Sequence, residues 1–182
     1  MSDSRPDPAA FEALAMPLFD SLYNLSHWLT QSREDADDLV QETFAKALKG
    51  FGSFQPGTNF RAWIFRILRN TFLTSRSGLA ATATKLPLNE EGDESVLTPS
   101  PRTPETLLLE QLEADALQDA IAALPVQYRE ALLLADVEEM SYQEIADSVG
   151  IPIGTVMSRL SRARRTVREA LQGKVRKQGA QK

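Results

Sequence analysis

Residues 141–165, SYQEIADSVGIPIGTVMSRLSRARR, restrict what this chain can fold into more than any other stretch. Ser141 can cap a helix and Glu144 can return the bond, the reciprocal arrangement of a capping box. Ile145, Ala146 and Val149 follow at helical spacing from Tyr142 and supply an inward face. Gly150 ends that helix, and Pro152 suits the first turn of the next, where a missing N–H costs little. Val156, Leu160, Ala163 and Val167 then recur at helical spacing and form one stripe to be buried. The opposite side carries Thr155, Ser158, Ser161, Arg162 and Arg165, with Met157 and Arg159 on its flanks and Gly154 at its start. An ordinary amphipathic helix with a solvated basic face accounts for the arginines alone. The capped first helix and the Gly-x-Pro turn beside them predict a helix-turn-helix whose second helix enters a DNA groove.

The charge distribution agrees. Residues 155–182 hold nine basic side chains and one acid, a net +8. The whole chain is −5, so residues 1–154 carry −13. An overall acidic balance thus hides a strongly basic end, and the distribution points to nucleic acid where the total does not. The acidic remainder calls for a basic partner or a mask for the basic end. Cysteine is absent, which excludes a disulfide framework, a thiolate metal site and a cysteine nucleophile. With no long apolar run and a polar, Pro-rich start, we expect a cytoplasmic protein without membrane insertion.

The pattern along the chain is all-α: two small helical domains joined by a flexible linker. The first domain spans 1–77. Phe11, Leu14, Leu18, Leu22 and Leu25 give a helical stripe despite Pro17, and Glu34 to Lys49 reads as a second helix with acids first and lysines last. Leu39, Phe44, Ala47 and Leu48 can face inward. A turn-rich loop, GFGSFQPGTN, precedes a third helix from Phe60 to about Thr74. Residues 78–104 contain four prolines and the acids Glu90, Glu91, Asp93 and Glu94, the composition of a linker. The second domain, 105–182, begins with a helix on Leu108, Leu112, Ala116 and Ile121 that stops before Pro125. A further helix runs from Val126 to about Val137, ahead of the helix-turn-helix.

Two other segments carry chemistry. Between Gln55 and Asn89 there are five basic residues and no acids. Arg66, Arg69 and Asn70 share one helix face, with Arg61 upstream, and Phe54, Phe60, Trp63, Phe65 and Phe72 are interleaved. Cations for phosphates and rings for stacking are what single-stranded nucleic acid requires. For Trp63 and Phe72 the hydrophobic core is the better explanation. On the acidic helix, Asp37, Asp38, Gln41 and Glu42 line one exposed side, which in this company reads as a docking surface for a protein.

DADDLVQETFAKALKGFGSF, NFRAWIFRILRNTFL, ALPVQYREALLLADVEEMSYQEIA and GIPIGTVMSRLSRARR together closely resemble the extracytoplasmic-function (group IV) sigma factors of bacterial RNA polymerase. The resemblance covers both domains in order: sigma region 2, a linker and sigma region 4. It implies that Asp37, Asp38, Gln41 and Glu42 dock on the polymerase β′ clamp, with region 4 on the β flap. It implies −10 element capture by Arg61, Arg66, Arg69 and Asn70, with Phe54, Phe65 and Thr74 around a pocket for a flipped base. Unstacking a base costs a few kcal/mol, which such a pocket offsets. It implies −35 reading by Gly154, Thr155, Met157, Ser158, Arg159, Ser161, Arg162 and Arg165. Family members often carry arginine at the place of Met157 and an aromatic at that of Ser161. An anti-sigma factor is an expected partner, and a monomer the expected free state. No enzymatic activity, cofactor or metal is implied.

The linker is then a distance problem. Two promoter elements about two turns apart are separated by roughly 70 Å. A relaxed coil of this length spans only about 30 Å, and its extended limit is roughly 90 Å. The linker must stretch when both domains engage promoter, and we expect the free protein to hide part of its DNA-binding surface by collapse or behind a partner. A plain two-domain regulator explains the helix-turn-helix but neither the acidic helix nor RILRN. A nuclease would need more than the lone His27 and the acids at a helix start.

Overall fold

The structure is a computed structural model that describes the backbone of residues 8–80 and 104–179, and side chains at 8–77 and 113–173. Among the described residues all regular structure is helical. The linker acids Glu90, Glu91, Asp93 and Glu94, the side chains of Leu108 and Leu112, and Lys174, Arg176, Lys177 and Lys182 lie outside the described residues.

In the first half, α1 (Pro8–Ala15) gives way at Met16–Leu18 to a 3-10 turn before α2 (Phe19–Thr30). Pro17 has no amide to continue the α-ladder, so the expected stripe is broken there. Phe11, Leu22 and Leu25 are buried while Leu14 is 43% exposed. Gln31 closes α2 in the left-handed region at φ 57. Ser32 then caps α3 (Arg33–Gly50), its side chain accepting from the Asp35 amide at 3.3 Å. Helix α3 buries Ala36, Leu39, Val40, Thr43 and Ala47. Leu48, expected to face inward, is 38% exposed, because one residue beyond Ala47 turns it about 100° off the stripe. After a short turn at Phe51–Ser53, Asn59 starts α4 (Phe60–Ala80) by accepting from the Ala62 amide at 3.0 Å. Helix α4 continues past the expected end near Thr74 and past the domain boundary expected at residue 77. Ile64, Phe65, Leu68 and Phe72 are buried, and α4 packs on α3 and α2 of its own half.

In the second half, α5 (Pro104–Ala122), α6 (Val126–Leu132), α7 (Tyr142–Val149) and α8 (Ile153–Gly179) form a bundle in which α8 packs on the other three. The expected α-helix to Val137 widens into a π-helical turn over Leu133–Val137. The Glu138 amide bonds the Leu133 carbonyl and the Met140 amide the Leu134 carbonyl, both at 2.9 Å. Such an insertion re-aims the side chains beyond it: Glu138 is only 6% exposed.

The halves pack together. Helix α4 lies along α7 and α2 against α6, and one apolar cluster runs from Phe65 and Leu68 through Leu133 and Met140 to Ile145. A collapse is present, but it runs through α4 and α2, and the basic helix α8 packs within its own half rather than onto the acidic first half that the charge split pointed to.

Candidate nucleic-acid interface

The helix-turn-helix is built as its sequence predicts. Ser141 and Glu144 form the full capping box, and the Ser141 amide donates to Glu144 Oε2 at 2.8 Å. Those bonds, with a further one from Asn59, hold the Glu144 carboxyl below the ordinary carboxylate range. Gly150 ends α7 at φ 73, a left-handed conformation that favours glycine. The Pro152 carbonyl accepts from the Thr155 and Val156 amides, so α8 starts on it. Val156, Leu160, Ala163 and Val167 are all buried.

Gly154, Met157, Ser158, Ser161, Arg162 and Arg165 are exposed, and Thr155 and Arg159 half-buried. Ser158 donates to the Thr155 carbonyl at 3.0 Å. Arg162 Nη1 donates to the Tyr128 hydroxyl at 3.2 Å, which holds that phenol below its usual pKa and orients the guanidinium beside the helix. Arg164, on the rear flank, is tied to Asp136 at 2.5 and 3.2 Å and takes no part in this face. A helix N-terminus, two hydroxyls and a fan of arginines can hold phosphate and reach base edges.

The arginines of α4 are in a different condition. Arg61 Nη2 donates to the Glu138 carbonyl at 2.5 Å and lies 3.1 Å from its carboxylate. Arg66 donates through Nε and Nη2 to the Asp147 carbonyl, in the last turn of α7. Arg69 Nε stands 2.9 Å from Glu130 Oε1. Burial pushes the Glu130 carboxyl above its ordinary pKa, against the opposing pull of Arg69. Asn59 Nδ2 donates to Glu144 Oε1 at 2.6 Å. The cations expected to hold a DNA strand are thus satisfied by the second half of the same chain.

The expected pocket is only partly assembled. Asn70 and Thr74 share an open cavity of about 270 Å³ with Lys46, Ile67 and Thr71. Phe65 is 1% exposed, in the core with Ile64 and Leu68. Phe54 stacks on Phe51 at 5.9 Å and meets Phe60 edge-on at 5.3 Å, within an aromatic cluster that includes Trp63. Position 65 shares the inward stripe of α4 with Phe72, a packing role that helical spacing alone assigns it. Lys46, which no sequence motif singles out, bonds Thr71 Oγ1 through Nζ at 3.3 Å and pairs with Glu42 at 2.6 Å. Asp37, Asp38, Gln41 and Glu42 lie exposed along α3 as expected. Among the described residues no cluster of His, Asp and Glu could hold a metal, and no helix is long and apolar enough to cross a membrane.

Two protein families divide the chain between them. Sigma-70 region 2 matches residues 15–80, and Sigma-70, region 4 matches residues 114–167. The ECF RNA polymerase sigma factor SigE of Mycolicibacterium smegmatis is 35% identical, over 93% of this chain and 69% of its own length. The RNA polymerase sigma-H factor of Pseudomonas aeruginosa is 32% identical, over 92% of this chain and 89% of its own. This chain belongs to the extracytoplasmic-function sigma factors. Among solved structures, the sigma factor RpoE of Bartonella quintana, in complex with the anti-sigma factor NepR, superposes with a TM-score of 0.73 at 28% identity, over 90% of this chain and 97% of that one.

The sigma factor therefore directs promoter-specific transcription initiation with core RNA polymerase, through a region 2 domain and a region 4 domain. What sequence reasoning missed in it are Glu130 and Glu138. The one available signal was their position: acids that flank the apolar run ALLLA within REALLLADVEE.

Proposed function

We propose that this group IV sigma factor reads the −35 element with Gly154, Thr155, Met157, Ser158, Arg159, Ser161, Arg162 and Arg165. We further propose that it holds the −10 element with Arg61, Arg66, Arg69, Asn70 and Thr74. The observation that carries the −35 assignment is the polar face of α8, turned outward along its length and backed by the buried Val156–Leu160–Ala163–Val167 stripe. Thr155 and the start of α8 hold phosphate, and Arg162 reaches a base edge. Asn70, with donors and an acceptor on one amide, discriminates a flipped base in the cavity it shares with Thr74 and Lys46. The family resemblance assigns Phe54 and Phe65 to the walls of that pocket.

The exposed acids of α3 dock on the β′ clamp of core polymerase and region 4 on the β flap. Residues 1–77, 78–104 and 105–182 act as region 2, linker and region 4. The protein works in the cytoplasm, free as a monomer and without enzymatic activity or a cofactor. An anti-sigma factor is its regulator; the likeness to a sigma factor solved with one supports this.

Run-off transcription with bacterial core polymerase on a genomic promoter library tests the reading. Protein-dependent transcripts that share a −10 and a −35 element are the expected result. No transcripts, with tight binding of duplex DNA by the protein alone, would instead establish a plain operator-binding regulator.

A further inference from the structure

We infer that region 4 is an intramolecular competitor of the promoter strand: Glu130, Glu138 and the C-terminal carbonyl end of α7 occupy the α4 arginines that the −10 phosphates need. The inference rests on the assignment of α4 to the −10 element and adds its regulation.

Each partner has the chemistry of a phosphate. Arg61 and Arg69 face carboxylates, at 3.1 and 2.9 Å. Arg66 faces the Asp147 carbonyl, where the negative end of the α7 dipole is concentrated. All three therefore meet oxygen acceptors of negative character. The side chains of Arg61 and Arg69 are 31% and 22% exposed, and those of Glu138 and Glu130 both 6%. A phosphate must displace the seated carboxylates to take the donors they fill, and the carboxylates cannot stay seated without the arginines, because an unpaired buried charge is strongly disfavoured.

The contact is reciprocal. Arg129, on region 4, donates to the Trp28 carbonyl in the last turns of α2, and also to the carbonyls of Ala122 and Leu124 at and just beyond the end of α5. Gln31 of region 2 donates to that same Ala122 carbonyl at 3.2 Å. Two helix ends, one from each domain, thus converge near one guanidinium. The closure is also incomplete: the Nε atoms of Arg61, Arg69 and Arg129 are buried without a well-formed hydrogen bond. Buried polar atoms left unmatched favour the hydrated, open form, so the closed state is held but reversible. Meanwhile the DNA face of α8 stays exposed. Closure therefore blocks strand capture and spares −35 reading.

The test uses the full chain carrying Glu130→Gln and Glu138→Gln, substitutions that keep shape and remove charge. Because the chain has no cysteine, Lys49→Cys and Gln172→Cys accept a donor and an acceptor dye, one on each domain. The nucleic-acid probe is a single strand of mixed sequence, about 15 nucleotides long, since phosphate contacts are sequence-independent. The expected result is lower energy transfer and about tenfold tighter strand binding than the parent, as when an open form rises from about a tenth of the population to most of it. Affinity for a −35 duplex should not change, which also shows that region 4 is intact. Unchanged transfer overturns the inference, and so does lower transfer without tighter strand binding. Adding Arg61→Ala, Arg66→Ala and Arg69→Ala together separates the two claims. If the gain in strand binding survives it while transfer stays low, the domains do open but α4 is not the strand site, and the −10 assignment fails.

Discussion

At the level of single residues, the two DNA tasks should come apart. Arg162→Ala is expected to weaken −35 duplex binding by about 1–3 kcal/mol and to relax preference at one base pair. Asn70→Ala should leave duplex affinity intact and impair melting, read as lost permanganate reactivity of promoter thymines. Equal loss of both activities in either variant contradicts the division of labour. Glu144 offers a different test. Its carboxyl is held low by Ser141 and Asn59, so the stabilisation it brings is complete above the ordinary carboxylate range, near about 4.3, and disappears as pH falls through its depressed value. Glu144→Ala should cost about 0.5–2 kcal/mol at neutral pH in denaturant unfolding and flatten the acid limb of the stability profile. Ser141 and Glu144 are legible because a capping box is local, written in four consecutive residues. Glu130 and Glu138 are not, since their partners lie 61 and 77 positions away and nothing local names them.

Among elements, α8 is the clearest in the sequence and the most regular in the structure. Its stripe predicts large effects from small changes: Leu160→Ala should cost about 2–5 kcal/mol in chemical unfolding and abolish −35 binding with it. Gly150→Ala, at φ 73, should cost about 1–2 kcal/mol through the strain of a left-handed residue, and nothing through crowding, as no atom lies within 4 Å of the added methyl. Elsewhere periodicity misleads in instructive ways. The first apolar stripe of the chain runs through Pro17, but a residue without an amide interrupts the ladder and Leu14 ends up exposed. The helix after Pro125 has a plain α pattern, yet its last turn is π. Periodicity cannot report an inserted residue unless the register beyond it is known. Here the residue just beyond is Glu138, swung inward to meet Arg61. The family resemblance puts Phe65 at a DNA pocket, although its spacing from Phe72 already assigns it to the core.

For the whole molecule, charge carries the message. A segment of +8 on a chain of −5 announces unlike surfaces that must meet or be kept apart. Yet the cations that meet acids across the domains are mainly those of α4, whereas the strongly basic helix α8 keeps its DNA side turned outward. Net charge does not foretell this closure; the packing of α4 on α7 and of α2 on α6 sets it and decides which face it covers. Small-angle scattering of the free protein should report a single compact body, and the Glu130→Gln, Glu138→Gln variant a broader distribution of sizes. A parent profile of two independently tumbling domains would count against closure. The outward face of α8 has a consequence for life in a cell full of nucleic acid. On the proposed assignments, a closed molecule can sample double helices while remaining indifferent to the unpaired strands of replication forks, transcription bubbles and messengers. Those decoys would otherwise hold it by the same phosphates it needs at a promoter.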